Sequence, residues 1–255
     1  MTHPPRSLRH EYDLFIEQEI EAYKDTVPRS LLLRLGDDAV AALAAQPQLT
    51  LTEVVLSAEV DRIIRQRLGL PSYRAWCRRR LKALQEFRRP EWWGLRPDGG
   101  VARAVPIAVD GHVLVAGTSE VGPAVFLAAN GCVVTAIETA EEVLERVMHA
   151  AVEVGIADRV RGFVGPLADW APDAPLKAVI CAGEAFTGLS GSERAEMLAQ
   201  LRHATTRGGL HVLQRRSALG EAPSLDELAA WYDGWQISVE SGGDAVATFL
   251  AAKPE

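Results

Sequence analysis

Residues 113–138, VLVAGTSEVGPAVFLAANGCVVTAIE, decide the fold. Val113 to Ala116 form an apolar run that suits a strand buried on both faces, and Gly117 and Gly122 bracket a short polar turn. A helix from Gly122 follows, and CVVTAIE is a second buried strand that ends on an acid, Glu138. Two strands joined through a helix must pair in parallel, because only a crossover of that length returns the chain to the same edge. The acid lies about 20 residues beyond the first glycine, the offset at which a strand-end carboxylate meets the ribose of a nucleotide-bearing ligand.

Outward from this unit the alternation continues. A helix over Glu141–Val154, the strands RVRGFVG and LKAVICAG, a helix over Glu193–His203 and the strand GLHVLQ extend a parallel sheet with helices on both faces. The chain ends differently, because SLDELAAWY precedes WQISVESGG and AVATFLAAKP, two strand-like runs separated by Gly242-Gly243-Asp244 that read as a hairpin adding an antiparallel edge.

Upstream, the first ninety residues read as four helices. Tyr12, Phe15, Ile16, Ile20 and Tyr23 share one face of the first, which ends near Pro28. The second runs from Ser30 to about Ala45 and stops at Gln46-Pro47. Thr50-Leu51-Thr52-Glu53 has capping-box spacing and opens the third, closed by Gly69, and Pro71 starts the fourth. Along the fourth, Tyr73, Trp76, Cys77, Leu81, Leu84 and Phe87 form an apolar stripe. Between Arg62 and Arg89 there are ten basic residues and one acid, Glu86. The plain reading of that run is a solvated or ion-paired face, and the alternative is contact with nucleic acid, an anionic substrate or an acidic partner. Residues 91–111 read as a linker in which Trp92 and Trp93 anchor the chain or cover a pocket. The expected domains are therefore 1–90, helical, and 112–255, α/β.

Composition agrees with two units. Residues 1–100 hold 16 Lys+Arg against 14 Asp+Glu and the remainder 11 against 20, for a net charge of −7. No apolar run approaches the ~18 residues of a membrane helix and no export signal is visible, so a cytoplasmic protein is expected. Cys77, Cys132 and Cys181 are scattered, which predicts reduced thiols, with neither a disulfide framework nor a metal site.

Taken in order, FLAANGCVVTAIE, DRVRGFVGPLADW and ATTRGGLHVLQ resemble class I S-adenosylmethionine-dependent methyltransferases over residues 112–254. The resemblance implies a doubly wound sheet of seven strands, the last antiparallel, preceded here by an all-α region, and it implies S-adenosylmethionine as cofactor. It assigns the cofactor to Gly117, Ser119, Gly122, Glu138, Leu167 and Asp169: a turn that lets backbone approach the ligand, an acid for the ribose hydroxyls, and an apolar side chain and a carboxylate near the adenine. Glu184, in the loop after the fourth strand, is the candidate base, and a solvent-facing loop acid is its plainer reading.

The motif is altered at five positions. Val115 stands where the family usually has an acid, Ser119 and Val121 where it has glycines, Pro166 where an acid meets the adenine amino group, and Lys177 where an acid leads the fourth strand. Side chains at 119 and 121 are expected to narrow the cleft, and a β-branched Val121 to resist a positive φ. Three readings follow: methyl transfer to a small molecule; an inactive scaffold acting through the arginine-rich helices, with a protein partner or by self-association; and a nicotinamide-dinucleotide oxidoreductase, since GTSEVG is GxGxxG without its middle glycine. Nucleic acid is the less favoured partner, and the histidines read as structural.

Overall fold

The computed structural model describes residues 7–45, 52–216, 223–241 and 246–255. They divide into two units, Met1–Arg79 and Arg80–Glu255.

In the first unit, α1 (Leu8–Thr26), α2 (Arg29–Ala44) and α3 (Glu53–Arg67) enclose Ile20, Leu35 and Ile64. Thr52, not Thr50, caps α3, its hydroxyl accepting from the Val55 amide at 3.3 Å; Thr50 and the Gln46-Pro47 stop lie outside the described residues. Pro71 sits before α4 (Tyr73–Phe87) rather than inside it, and its carbonyl accepts the Tyr12 hydroxyl at 2.9 Å. The stripe on α4 is interrupted at Leu81, which is 60% exposed.

The division falls inside α4, at residue 79/80 instead of 90. The stretch expected as a linker is built into the second unit: Pro90–Trp93 form a 3-10 turn and α5 (Gly100–Ala108) buries Val101, Ala104 and Ala108 against the sheet. Gly100 is the point of closest approach, since a Cβ there would lie 2.7 Å from Val212.

Next come β1 (His112–Ala116), α6 (Gly122–Ala129), β2 (Val133–Glu138), α7 (Glu141–Glu153), β3 (Val160–Val164) and β4 (Leu176–Ala182). They are followed by α8 (Gly191–Ala204), β5 (Thr205–Arg216), α9 (Leu225–Trp231), β6 (Gln236–Ser241) and β7 (Val246–Ala252). The seven strands lie in the order β3-β2-β1-β4-β5-β7-β6, and β7 runs antiparallel to both neighbours. The hairpin is thus present, although the Gly242-Gly243-Asp244 turn lies outside the described residues. Alternate side chains of β1 serve two cores: Val113 and Val115 pack with α5, α6 and α7, while Leu114 and Ala116 pack with α8 and α9. Every residue of α6 is buried, as an apolar-all-round helix requires.

Part of the basic run is structural. Arg80 donates to the Val154 carbonyl at 3.3 Å and Arg88 to the Ala129 carbonyl at 2.8 Å, so each closes the carboxyl end of a helix, where positive charge is favourable. Arg62 pairs with Glu59 and Arg89 with Glu86.

Among the described residues no helix is long and apolar enough to cross a membrane.

Candidate functional site at the carboxyl ends of β1, β2 and β4

The strand order reverses between β1 and β4, so the crevice beyond their carboxyl ends is where an open α/β sheet takes its ligand. The wall of that crevice is the turn 117–121. Gly117 follows β1 with φ +60°, Ser119 has φ +55°, and Val121 is right-handed at φ −72°. The strain expected at Val121 is therefore absent, and Ser119 carries it instead. An L residue in the left-handed region costs on the order of 1–3 kcal/mol and persists where its surroundings hold it.

What holds it is Glu138. Its carboxylate is 5% exposed at the end of β2. Oε1 accepts from the Thr118 amide at 3.0 Å, the Thr118 hydroxyl at 3.2 Å and the Ser119 amide at 3.2 Å. All of these bonds end on Oε1, and none of them on Oε2. Burial pushes the Glu138 carboxyl above its ordinary range, the bonds from Thr118 and Ser119 pull it back, and the charge of Glu184 adds to the rise.

The two glycines are explained by neighbours within the protein. A Cβ on Gly117 would lie 2.2 Å from the Ala185 amide nitrogen, so the turn after β4 packs directly on it. A Cβ on Gly122 would lie 2.9 Å from Trp93 Cβ, and Trp93 is fixed by donating its indole N–H to the Phe87 carbonyl at 3.0 Å. Trp93 is thus a packing anchor, and Trp92 is exposed. In dinucleotide turns the first glycine makes the tight turn, the third lets helix and strand pack, and the second admits the ligand. This chain keeps the first and third and replaces the second.

The remaining expected residues separate. Glu184 lies half-buried in a 3-10 turn, Gly183–Phe186, at the end of β4, close enough to act on Glu138. Leu167 is 3% exposed and packs with Ile137, Phe163 and Trp170 in the α8/α9-side core, so it is a core residue and not an open adenine face. Asp169 is exposed after β3. Lys177 stands at the amino end of β4, its stem against Gly111, at the end of the sheet opposite the crevice.

Thr118 and Ala185 were not singled out from sequence, and Trp93 was singled out as an anchor of the linker but not as a neighbour of Gly122. Thr118 left one signal, a hydroxyl placed between two turn residues and 20 positions before the acid.

His211 is structural, as expected. Thr205 donates to the Leu201 carbonyl at 2.7 Å, so it accepts from His211 Nε2 at 2.7 Å, and Nδ1 accepts the Tyr232 hydroxyl at 2.6 Å. Burial, with Arg202 and Lys253 nearby, lowers the imidazole pKa to about 3. Burial likewise pushes the Cys132 and Cys181 thiols up, to about 11 and about 12.

No protein-family model matches the chain, and no curated protein does. Solved structures do. TehB from Haemophilus influenzae is 14% identical with a TM-score of 0.51, over 64% of this chain and 65% of its own length. A TehB-like SAM-dependent methyltransferase from Corynebacterium glutamicum is 17% identical with a TM-score of 0.47, over 69% of this chain and 98% of its own. The N-methyltransferase NodS from Bradyrhizobium japonicum is 12% identical with a TM-score of 0.49, over 61% and 93%. The strand order and the likeness to TehB show a Rossmann-like methyltransferase fold of seven strands, the last antiparallel.

Proposed function

We propose that residues 112–254 hold S-adenosylmethionine beyond the carboxyl ends of β1, β2 and β4 and pass its methyl group to a small molecule. The observation that carries this reading is Glu138: a buried acid at the end of β2, clamped through one oxygen and with the other left for a ribose diol. When bound, the cofactor supplies a methyl group on a sulfonium. The protein's part is then alignment of an in-line displacement, with a base needed only when the acceptor must lose a proton. Glu184 is the residue proposed for that base, since it stands at the end of β4 beside Glu138. Asp169 supports contact with the adenine edge from its exposed place after β3.

The same geometry argues against a dinucleotide. A phosphate-binding turn aims its free amides at the anion. Here the Thr118 and Ser119 amides already donate to a carboxylate, and that carboxylate would repel a pyrophosphate. A second reading, a scaffold without catalysis, draws support from the packing of Ala185 on Gly117 and Trp93 on Gly122, which accounts for both glycines without a ligand. In that reading the arginine-rich helices meet a protein partner or a second copy.

Calorimetric titration with S-adenosylmethionine, S-adenosylhomocysteine and NAD separates the three. Micromolar binding of the first two and none of NAD is the expected result. Folded protein that binds none of them would leave the scaffold reading standing.

A further inference from the structure

We propose that Thr118 is the positioning residue for Glu138: its hydroxyl and amide clamp one carboxylate oxygen to the turn, so that the other faces a ligand's hydroxyls in one direction. This rests on the reading of Glu138 as the ribose acceptor.

Thr118 is 4% exposed and lies between two residues in the left-handed region, Gly117 and Ser119. The amides of 118 and 119 remain whatever side chain stands at 118, so the hydroxyl is the part of the clamp that the residue type determines. Threonine suits the task because its branched Cβ restricts χ1 and keeps Oγ1 directed. That oxygen has two acceptors within reach, Glu138 Oε1 at 3.2 Å and the Glu120 carbonyl at 3.1 Å. One proton serves one of them at a time. With Glu138 ionised the hydroxyl donates to the carboxylate. With Glu138 protonated on Oε2, the oxygen that carries none of these bonds, Oε1 becomes a carbonyl oxygen that still accepts from the amides and the hydroxyl, more weakly than a carboxylate does. The hydroxyl therefore favours the ionised carboxyl and fixes the direction of Oε1, a contribution that an aliphatic residue at 118 removes while the two amides remain. Glu184, from the turn after β4, is the charged group acting on Glu138, and Glu120 extends from the same turn with its side chain exposed.

The test compares wild type with Thr118→Val, which keeps the shape, and Thr118→Ser, which keeps the hydroxyl. Two quantities are read: affinity for S-adenosylhomocysteine by calorimetry, and the titration of the Glu138 carboxyl by carbon-13 NMR in protein without ligand. The valine variant is expected to bind roughly tenfold more weakly and to titrate at higher pH, while the serine variant stays near wild type. If valine does not support folding, Thr118→Ala carries the same comparison. A titration unchanged in the valine or alanine variant overturns the positioning role. If no protein binds S-adenosylhomocysteine yet the titration still moves, the cofactor reading falls and the clamp stands.

Discussion

Glu138 beneath the first turn and His211 beneath α8 and α9 are both buried ionisable groups, and the same sheet treats them in opposite ways. His211 has each ring nitrogen matched to one hydroxyl, and burial, with Arg202 and Lys253 nearby, keeps it neutral. Glu138 has its bonds gathered on one oxygen, with another acid nearby. A buried group satisfied on every side contributes order and nothing else, whereas one satisfied on a single side retains a direction in which it can act. The contrast can be measured, because the two groups pull stability in opposite senses as pH changes.

The largest expected effect belongs to His211. Its folded pKa of about 3 lies below the unfolded value, so between about pH 6.5 and 3 the unfolded chain binds the extra proton and stability falls as pH drops. Urea unfolding should lose about 3 kcal/mol from this group between pH 7 and pH 4. His211→Gln should flatten that slope, and an unchanged slope would show that the imidazole does not titrate as described. Glu138 works the other way: its folded pKa is raised, so its contribution is fully present at low pH and is lost as pH rises through the folded value.

Next in size is Gly117→Ala, which places a Cβ against the Ala185 backbone at a positive φ. A loss of roughly 2–3 kcal/mol in thermal or urea unfolding is expected. Glu138→Ala should weaken S-adenosylhomocysteine binding by roughly 1–3 kcal/mol in calorimetry; unchanged affinity would remove Glu138 from the site. The smallest effect is Ser119→Gly, which should raise stability by about 0.5–1 kcal/mol in unfolding experiments by relieving the left-handed serine. If the serine side chain narrows the cleft, the same substitution tightens cofactor binding.

The fold was legible because its signals are local. Apolar runs such as LKAVICAG and helix-start signals such as Thr52-Glu53 lie within a few residues of the structure they specify. The helix Gly100–Ala108 was missed for the same reason. Gly99, Gly100 and Pro106 are loop signals locally, and α5 forms because Val101 and Ala104 are buried on the sheet. The site was less legible because its decisive contacts join distant positions. Glu138 was singled out by its offset from Gly117, but nothing near Gly117 announces Ala185, and nothing near Gly122 announces Trp93. Leu167, next to the altered motif position Pro166, proved to be core, since an apolar residue just beyond a strand serves a ligand or the interior equally well as a sequence symbol.

The seat of Trp93 on Gly122 gives the protein an internal lamp. Its indole presses on the residue at which α6 begins, and α6 begins where the turn wall of the crevice ends. Any ligand that draws the turn 117–121 inward tugs on the surface against which that ring rests. Emission from Trp93, isolated by replacing the other five tryptophans with phenylalanine, is then expected to change as S-adenosylhomocysteine is added, and constant emission at saturation would show that the turn does not move.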